Sequence, residues 1–246
     1  MHSTISGFPR IGDRRELKTA TEGYWAGRVP AGELEATARE LRRQTWTFLR
    51  DAGIGQVPSN HFSLYDQVLD TCVLVGAVPS RYGTQGGDVD LDTYFAMARG
   101  RDDATAMEMT KWFDTNYHYL VPELGPEVEF RLAARPKPLA ELAEARELGI
   151  ATRPVLLGPV TFLLLGKPSG TAGAGFDRLS LLDERERREL LAVVGAGGLP
   201  AVLGVRHEVG NLPLAWRDLG HLNVSRAGFD HGPASFSSGT TKPTSA

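Results

Sequence analysis

The sequence predicts an α/β fold built on parallel strands. Short apolar segments of strand length alternate with longer segments in which apolar residues recur at helical spacing. Polar and charged residues gather directly after several of the strand-like segments. Strands that alternate with helices in this way are typical of a parallel sheet covered by helices. With 246 residues, of which 41% are hydrophobic, the chain is long enough to bury a core.

The first predicted unit is a short strand in residues 3–12, which runs through a Gly/Pro turn into a helix. Strand, tight turn and charged helix start are how α/β barrels present ligand-binding groups at the carboxyl ends of their strands. Arg14, Arg15 and Lys18 lie on the first turns of this helix, where the backbone dipole is also positive. The helix start therefore suits an anion, and the alternative is a solvated basic helix face.

The second helix is predicted over residues 32–50 by apolar positions at steps of three and four, namely Leu34, Ala38, Leu41, Thr45 and Phe48. Gly53 ends this helix. Residues 54–57 form the next short strand, and Ser63 caps a helix that reaches about residue 75. His61 lies in the loop between them, and it either serves as a ligand-contacting or acid/base residue or is simply a solvated loop residue.

The later elements repeat the alternation of strands and helices. They are a helix over 92–99, a helical turn over 104–110, a strand over 128–132, a helix over 138–148 closed by Gly149, a buried strand from Arg153, and a helix that begins at Pro159.

Residues 108–123 are unusually dense in long polar and aromatic side chains, with Lys111, Trp112, Asp114, Asn116, Tyr117, His118 and Tyr119 within nine positions. If this segment is one strand, Asp114, Asn116 and His118 share a face. Such a face could form the floor of a ligand site. The alternative is an ordinary half-buried strand, since aromatic residues are common in strands.

Composition excludes several classes of function. The net charge of −3 comes from interspersed charges, so no basic stripe indicates a nucleic-acid partner. Cys72 is the only cysteine, which excludes an internal disulfide and a multi-cysteine metal site and is compatible with a reducing cytoplasm. No apolar run reaches the length of a membrane span, and the polar start lacks the apolar region of a signal peptide. We expect a cytoplasmic protein.

Several motifs together resemble the amino-terminal barrel of cobalamin-independent methionine synthase. They run in order, without large gaps, from about Ser6 to Asp183: Gly-Phe-Pro-Arg-Ile-Gly at 7–12, Arg-Glu-Leu-Lys at 15–18, Ser-Asn at 59–60, Tyr-Asp-Gln-Val-Leu-Asp at 65–70, Tyr-Phe-Ala-Met-Ala-Arg-Gly at 94–100, residues 108–123 and residues 153–166. Motifs of this length are highly specific.

The resemblance implies part of a two-barrel cytosolic methyltransferase that moves a methyl group from 5-methyltetrahydropteroyltriglutamate to homocysteine and forms methionine. It implies a (β/α)8 barrel here, which binds the folate and its polyglutamate tail. Arg15, Glu16, Leu17 and Lys18 match the family's first folate-contacting segment, and Lys111 and Asn116 match its second. No catalytic residue is assigned to this chain.

The resemblance also implies that the family's zinc lies in the carboxyl-terminal barrel, where it binds the homocysteine thiolate, and that cobalamin is not used. That barrel is absent from this sequence, and His207, His221 and His231 cannot rebuild a thiolate-rich zinc site without further cysteines. Homocysteine is therefore expected as a partner only together with the missing barrel.

The resemblance fades after Asp183, so we expect a partial amino-terminal barrel over residues 1–195 and an unmatched, largely disordered tail over 196–246. With about four or five recognisable strand-helix units, the barrel is expected to be open and incomplete. A frameshift or a truncated gene would explain the change. The alternatives to part of a methyltransferase are a non-catalytic folate-polyglutamate-binding module, an inactive remnant, and another barrel enzyme that uses the same anion site.

Overall fold

The computed structural model describes residues 3–83, 88–112, 115–173 and 175–181. The helices in these ranges are α1 (Glu16–Trp25), α2 (Ala31–Asp51), α3 (Gln67–Leu74), α4 (Leu91–Arg99), α5 (Lys137–Glu147) and α6 (Pro159–Leu165), with 3-10 turns at Ser80–Tyr82 and Arg178–Leu181. The strands are β1 (Val57–Ser59), β2 (Met109–Lys111), β3 (His118–Leu120), β4 (Glu123–Leu124), β5 (Thr152–Pro154) and β6 (Lys167–Pro168). The predicted α/β class is confirmed.

The strands of the described ranges pair into three two-stranded sheets. β1 pairs with β5 and β4 pairs with β6, both in parallel, whereas β2 and β3 form an antiparallel hairpin. Thr4 makes a single parallel bridge to Gln56, so the predicted first strand is reduced to one residue. These residues contain no closed barrel, and the (β/α)8 barrel stays a prediction.

The helix stop signals that the sequence contains act where they were predicted. Gly53 and Gly149 follow α2 and α5 with φ of 78° and 69°, a left-handed conformation that glycine adopts without a steric penalty. Pro159 is the first residue of α6, where its missing N–H has no intrahelical partner to lose.

The buried face of α2 differs from the prediction in its last two turns. Leu34, Ala38 and Leu41 are buried as expected, but Trp46 and Leu49 are buried in place of Thr45 and Phe48. A helix of 3.6 residues per turn rotates its buried stripe slowly along a long axis, so the face has shifted by one residue. Phe48 is left 59% exposed and contacts the Phe8 ring.

Two hydrophobic clusters hold the described residues together. The larger joins α1, α2, α3, α4, β3 and α6, and its fully buried side chains include Leu34, Leu69, Met97, Leu120 and Phe162. The smaller packs Trp46 and Leu49 of α2 against Val57, Ala145 and Ile150. The smaller cluster therefore seats α2 and α5 against the parallel pair β1 and β5.

Residues 108–123 do not form one strand, so the alternative of an ordinary half-buried strand is wrong. β2 and β3 pair with Lys111 opposite His118, so the chain reverses between them. Thr115 holds the turn, because its N–H and its hydroxyl both donate to the Trp112 carbonyl, at 3.1 and 2.7 Å. Asn116 and His118 therefore do not share the face of a continuous strand, and Asp114 lies outside the described residues.

Three further local predictions are wrong. Asp66 caps α3 through its side chain, whereas the Ser63 hydroxyl accepts the Tyr65 N–H and lies 3.3 Å from the Tyr94 hydroxyl. Residues 104–110 form no helical turn. Residues 128–132 form no strand, and the Arg131 N–H donates to the Val75 carbonyl just after α3. The tail over 196–246, with its three histidines, lies outside the described residues.

Candidate functional site

Three segments of the chain meet at the consecutive residues Tyr65 and Asp66, and we call this meeting point the Asp66 junction. The carboxylate accepts the Leu69 N–H at 2.9 Å and so caps α3. It also accepts the Leu120 N–H of β3 at 3.2 Å and the Tyr117 hydroxyl. The junction therefore binds the start of α3 to the β2–β3 hairpin.

The third segment at the Asp66 junction is the N-terminal loop, residues 7–15. Arg10 donates from its guanidinium to the Tyr65 carbonyl at 2.7 Å, one residue before Asp66. Its cation also acts to lower the pKa of Tyr117, although burial of the phenol outweighs this effect and raises the pKa overall. Arg10 thus lies close to the tip of the hairpin.

Asp66 is 2% exposed, and burial raises the pKa of its carboxyl group. Its hydrogen bonds from Tyr117, Leu69 and Leu120 act in the opposite direction, because they stabilise the charged form. Asp66 was not predicted as a site residue. An Asp directly before an apolar helical segment is a recognised N-cap signal and could have identified it.

Of the predicted site residues, Lys111 and Asn116 are brought together on the hairpin. Lys111 lies at the end of β2, opposite His118, and the His118 Nδ1 is 3.1 Å from the Asn116 carbonyl oxygen. Both Lys111 and Asn116 are exposed. Lys111 lies just before the turn, and Asn116 lies in the turn directly before Tyr117, whose hydroxyl donates to Asp66.

The other four predicted residues surround the start of α1. Arg15 has a left-handed backbone with φ of 64°, and Lys18 forms an ion pair with Glu22 at 3.5 Å. The Leu17 side chain is buried, and its N–H donates to the Ile11 carbonyl. Ligand contact by this segment stays a prediction, as does contact by Lys111 and Asn116.

Glu16 already provides a negative charge at the start of α1. Its carboxylate accepts the Arg14 N–H at 3.0 Å and the Arg14 guanidinium at 3.2 Å. Hydrogen bonds from the Glu16 and Arg14 N–H groups lower the pKa of the Glu16 carboxyl. An anion at this end would therefore be bound mainly by side-chain cations.

Connections among the predicted residues run through the Asp66 junction. Within the described ranges, Lys18 forms its ion pair with Glu22, and the Asn116 carbonyl lies against His118, so neither residue bonds directly across to the other segment. The N-terminal loop that leads into α1 and the hairpin tip instead meet through Arg10, Tyr65, Asp66 and Tyr117. The connection is thus made by the loop that precedes α1 and by the hairpin that carries Lys111 and Asn116.

A second polar cluster lies beyond the end of β1. The Lys137 ammonium lies 3.3 Å from Asp70 Oδ2 and 3.1 Å from Glu141 Oε1, and it donates to Asn60 Oδ1 at 3.0 Å. Burial alone would lower the pKa of Lys137, but the two carboxylates outweigh burial and raise it. The adjoining cavity, lined in part by Gln67 and Thr71, has a volume of about 20 Å³, room for about one water molecule.

His61 lies in a loop but is buried, so its interpretation as a solvated residue is wrong. It is 7% exposed, and burial followed by the nearby Lys137 cation lowers its pKa to about 4. His61 is therefore neutral near neutral pH. Its position beside a permanent cation disfavours the charged form that general acid catalysis would need.

Acidification is expected to destabilise the fold through His61. Because the folded pKa of about 4 lies below the usual value of 6.5, the unfolded chain binds more protons between these pH values. Stability is full above about pH 6.5 and falls towards pH 4, by at most about 3 kcal/mol from this group.

Urea unfolding between pH 7 and 5 measures this dependence. His61→Gln should flatten the pH dependence of the unfolding free energy, whereas His118→Gln, which replaces an exposed histidine, serves as the control. An equal slope in wild type and His61→Gln would show that His61 does not carry the effect.

The resemblance places the family's zinc in the carboxyl-terminal barrel, and the described residues offer no zinc site of their own. None of their His, Cys, Asp and Glu side chains form a group of three or more that could hold a metal ion. Cys72 is fully buried, and burial raises the pKa of its thiol well above the usual value. A thiol of this kind does not supply the thiolate that a zinc ligand requires. None of the described helices is long and apolar enough to cross a membrane.

Comparison with known proteins shows one family. Residues 2–191 match the family model described as cobalamin-independent synthase, N-terminal domain. Proteins named 5-methyltetrahydropteroyltriglutamate–homocysteine methyltransferase are similar to the chain in Catharanthus roseus, with 56% identity over 184 residues, and in Mycobacterium tuberculosis, with 57% over 196 residues. A relative of the same name in Streptomyces coelicolor is 51% identical over 231 residues.

The comparisons cover much of this chain but a small part of each relative. The matches take in 75%, 80% and 89% of the chain for the Catharanthus, Mycobacterium and Streptomyces relatives. They take in 24%, 25% and 30% of those relatives. The chain thus corresponds to less than a third of the length of these curated relatives.

Proposed function

Because this chain belongs to the cobalamin-independent methionine synthase family, we propose that it is a folate-polyglutamate-binding part of a cytoplasmic methyltransferase. The complete reaction is the transfer of the methyl group of 5-methyltetrahydropteroyltriglutamate to homocysteine. In this proposal the chain binds the glutamate tail, through Arg15, Glu16, Leu17 and Lys18 at the start of α1 and through Lys111 and Asn116 on the hairpin.

The observation that carries this proposal is the meeting of the N-terminal loop with the hairpin at the Asp66 junction. Arg10 of the loop and Tyr117 of the hairpin bind adjacent residues, Tyr65 and Asp66. The loop that precedes α1 and the hairpin that carries Lys111 are thus bound to consecutive residues, which supports the proposal. A ligand with several carboxylates suits such an arrangement, since cations and amide donors form strong charge-assisted hydrogen bonds with carboxylates.

Exposure of the proposed cations supports the same function. Lys111, Lys18 and Arg15 are exposed, and the Lys18 ion pair with Glu22 is solvated on both sides, with side chains 45% and 53% exposed. A solvated pair of this kind contributes about 0–1 kcal/mol, so a ligand carboxylate can replace Glu22 at little cost.

Titration with folates that carry one and three glutamates tests the binding function. We expect the triglutamate form to bind at least about tenfold more tightly, since each further charge-assisted hydrogen bond contributes about 1.5–3 kcal/mol. Raising the salt concentration should weaken this preference. Equal and negligible binding of both folates would contradict the proposal and leave an inactive remnant as the remaining interpretation.

A methyltransferase assay with homocysteine and the triglutamate folate tests the division of roles. We propose that the chain does not turn over alone, because its one cysteine, Cys72, is buried and cannot take part in a thiolate-rich zinc site. Robust zinc-dependent turnover by the isolated chain would contradict this part of the proposal.

A further inference from the structure

We propose that Asp66 is a positioning residue for tail binding, which holds the β2–β3 hairpin so that Lys111 and Asn116 share a ligand with the N-terminal loop. The inference rests on the proposed function and adds residues that make no ligand contact of their own. Tyr117 is the partner through which Asp66 acts at the hairpin tip.

The hairpin needs support from outside itself. β2 and β3 have three residues each, and all three residues of β2 are exposed. A two-stranded hairpin of this size is marginally stable by itself in water. Tyr119 and Leu120 anchor β3 in the larger hydrophobic cluster, so it is the orientation of the exposed tip at Tyr117 that depends on further contact.

Asp66 supplies that contact at two points of the hairpin. Its carboxylate accepts the Leu120 N–H at the end of β3 and the Tyr117 hydroxyl at the tip. Two contacts at different points fix both the position and the tilt of the hairpin. Asn116 and Lys111 lie within this fixed segment, one beside Tyr117 and one opposite His118.

Capping of α3 alone does not account for these contacts. The cap is complete with the single bond from the Leu69 N–H to Asp66 Oδ2 at 2.9 Å. The bonds from Tyr117 and Leu120 come from chain positions more than 50 residues away and satisfy no group of α3. Asp66 therefore has a second role, which concerns the hairpin.

The same location also fixes the hairpin relative to the N-terminal loop. Arg10 donates to the Tyr65 carbonyl, so the loop and the hairpin are bound to consecutive residues. Movement of the hairpin away from Asp66 would therefore separate Lys111 and Asn116 from the segment that leads to α1.

Tyr117→Phe isolates this role, because Asp66→Ala would also remove the cap of α3. The variant deletes one hydroxyl and retains the aromatic ring, which packs against Trp112 with ring centroids 6.2 Å apart. Tyr24→Phe is the matched control, since Tyr24 also donates its hydroxyl to an aspartate, Asp92, between α1 and α4.

Two measurements on the full chain test the proposal, namely amide hydrogen exchange in the hairpin and affinity for folates with one and three glutamates. Tyr117→Phe should speed exchange of the hairpin amides and weaken triglutamate binding about tenfold, while monoglutamate binding changes little. In a Lys111→Ala background, Tyr117→Phe should cause a clearly smaller further loss, because the lysine that it positions is absent. Tyr24→Phe should change none of these quantities.

The outcomes separate the two proposals. Unchanged hairpin exchange in Tyr117→Phe, or faster exchange with unchanged triglutamate affinity, would overturn the positioning role of Asp66. An equal loss of affinity with and without Lys111 would also overturn it. Absence of any triglutamate preference in the wild-type chain would instead overturn the proposed function, and hairpin exchange would still report whether Asp66 holds the hairpin.

Discussion

Replacing Lys137 with methionine is expected to destabilise the fold by about 3–5 kcal/mol, because it leaves the buried Glu141 carboxylate without its cation. The Lys137 ammonium serves two carboxylates, Asp70 and Glu141, and two uncharged acceptors, the Asn60 amide oxygen and the Phe62 carbonyl at 2.5 Å. Glu141 is 2% exposed. Without Lys137, its carboxylate would stay in a buried position with no cation beside it.

The Lys137 cluster also connects distant parts of the chain, since it joins α5 to α3 and to the loop after β1. Glu141 additionally accepts the Asn60 N–H at 2.7 Å. Loss of the ammonium would therefore weaken the packing around the parallel pair β1 and β5. Its effect should appear as a lower midpoint of urea unfolding at neutral pH.

Lys167→Met is the control for this prediction. Lys167 pairs with Glu108 at 2.7 Å, but the two side chains are 38% and 56% exposed. Solvated ion pairs contribute about 0–1 kcal/mol, so this variant should lose no more than that. Equal unfolding free energies for the two variants would contradict the role of Lys137 as the cation of the buried Glu141 carboxylate.

Replacing Lys111 with alanine is expected to produce the largest loss of ligand binding. Lys111 is exposed on β2, so the substitution removes a cation without opening a cavity in the core. A charge-assisted hydrogen bond contributes about 1.5–3 kcal/mol, and triglutamate affinity should fall about 10- to 100-fold. Titration with the triglutamate folate measures this loss, and unfolding in urea checks that stability is unchanged.

Arg50→Ala is a suitable control for Lys111→Ala. Arg50 is an exposed cation near the end of α2 that pairs with Asp51, and it changes the net charge by the same amount. It should leave triglutamate affinity nearly unchanged. A similar loss in both variants would indicate that net charge, and not a specific contact of Lys111, attracts the ligand.

The helices were predictable because their signals are local. The stop glycines Gly53 and Gly149 and the first-turn Pro159 each act within a few residues of their own position. Trp46 and Leu49 are buried where the spacing predicts Thr45 and Phe48, which shows that local spacing does not identify every buried residue. Spacing predicts a face, but tertiary contacts such as the Trp46 bond to the Pro58 carbonyl decide its final residues.

The hairpin could not be predicted from alternation. Side chains alternate with a period of two both in one long strand and in two short paired strands. The turn at Thr115 contains neither glycine nor proline, the residues that most often indicate a hairpin turn. The turn depends on hydrogen bonds from the Thr115 N–H and hydroxyl to the Trp112 carbonyl, which residue propensities do not predict.

The candidate site was predictable in part. Lys111 and Asn116 were identified by resemblance, and the structure places both on one hairpin. Arg10, Asp66 and Lys137 were missed because their roles depend on partners 54 to 77 residues away or on burial. His61 was misjudged for the same reason, since its loop is covered by other parts of the fold.

The most direct test of the central claim is a double-mutant cycle with Lys18→Ala and Lys111→Ala, measured by titration with folates of one and three glutamates. If the start of α1 and the hairpin bind the same glutamate tail, each single variant should lose triglutamate affinity, and the double variant should bind both folates equally. Loss in Lys111→Ala with no loss in Lys18→Ala would contradict a shared ligand, as would an equal loss for both folates.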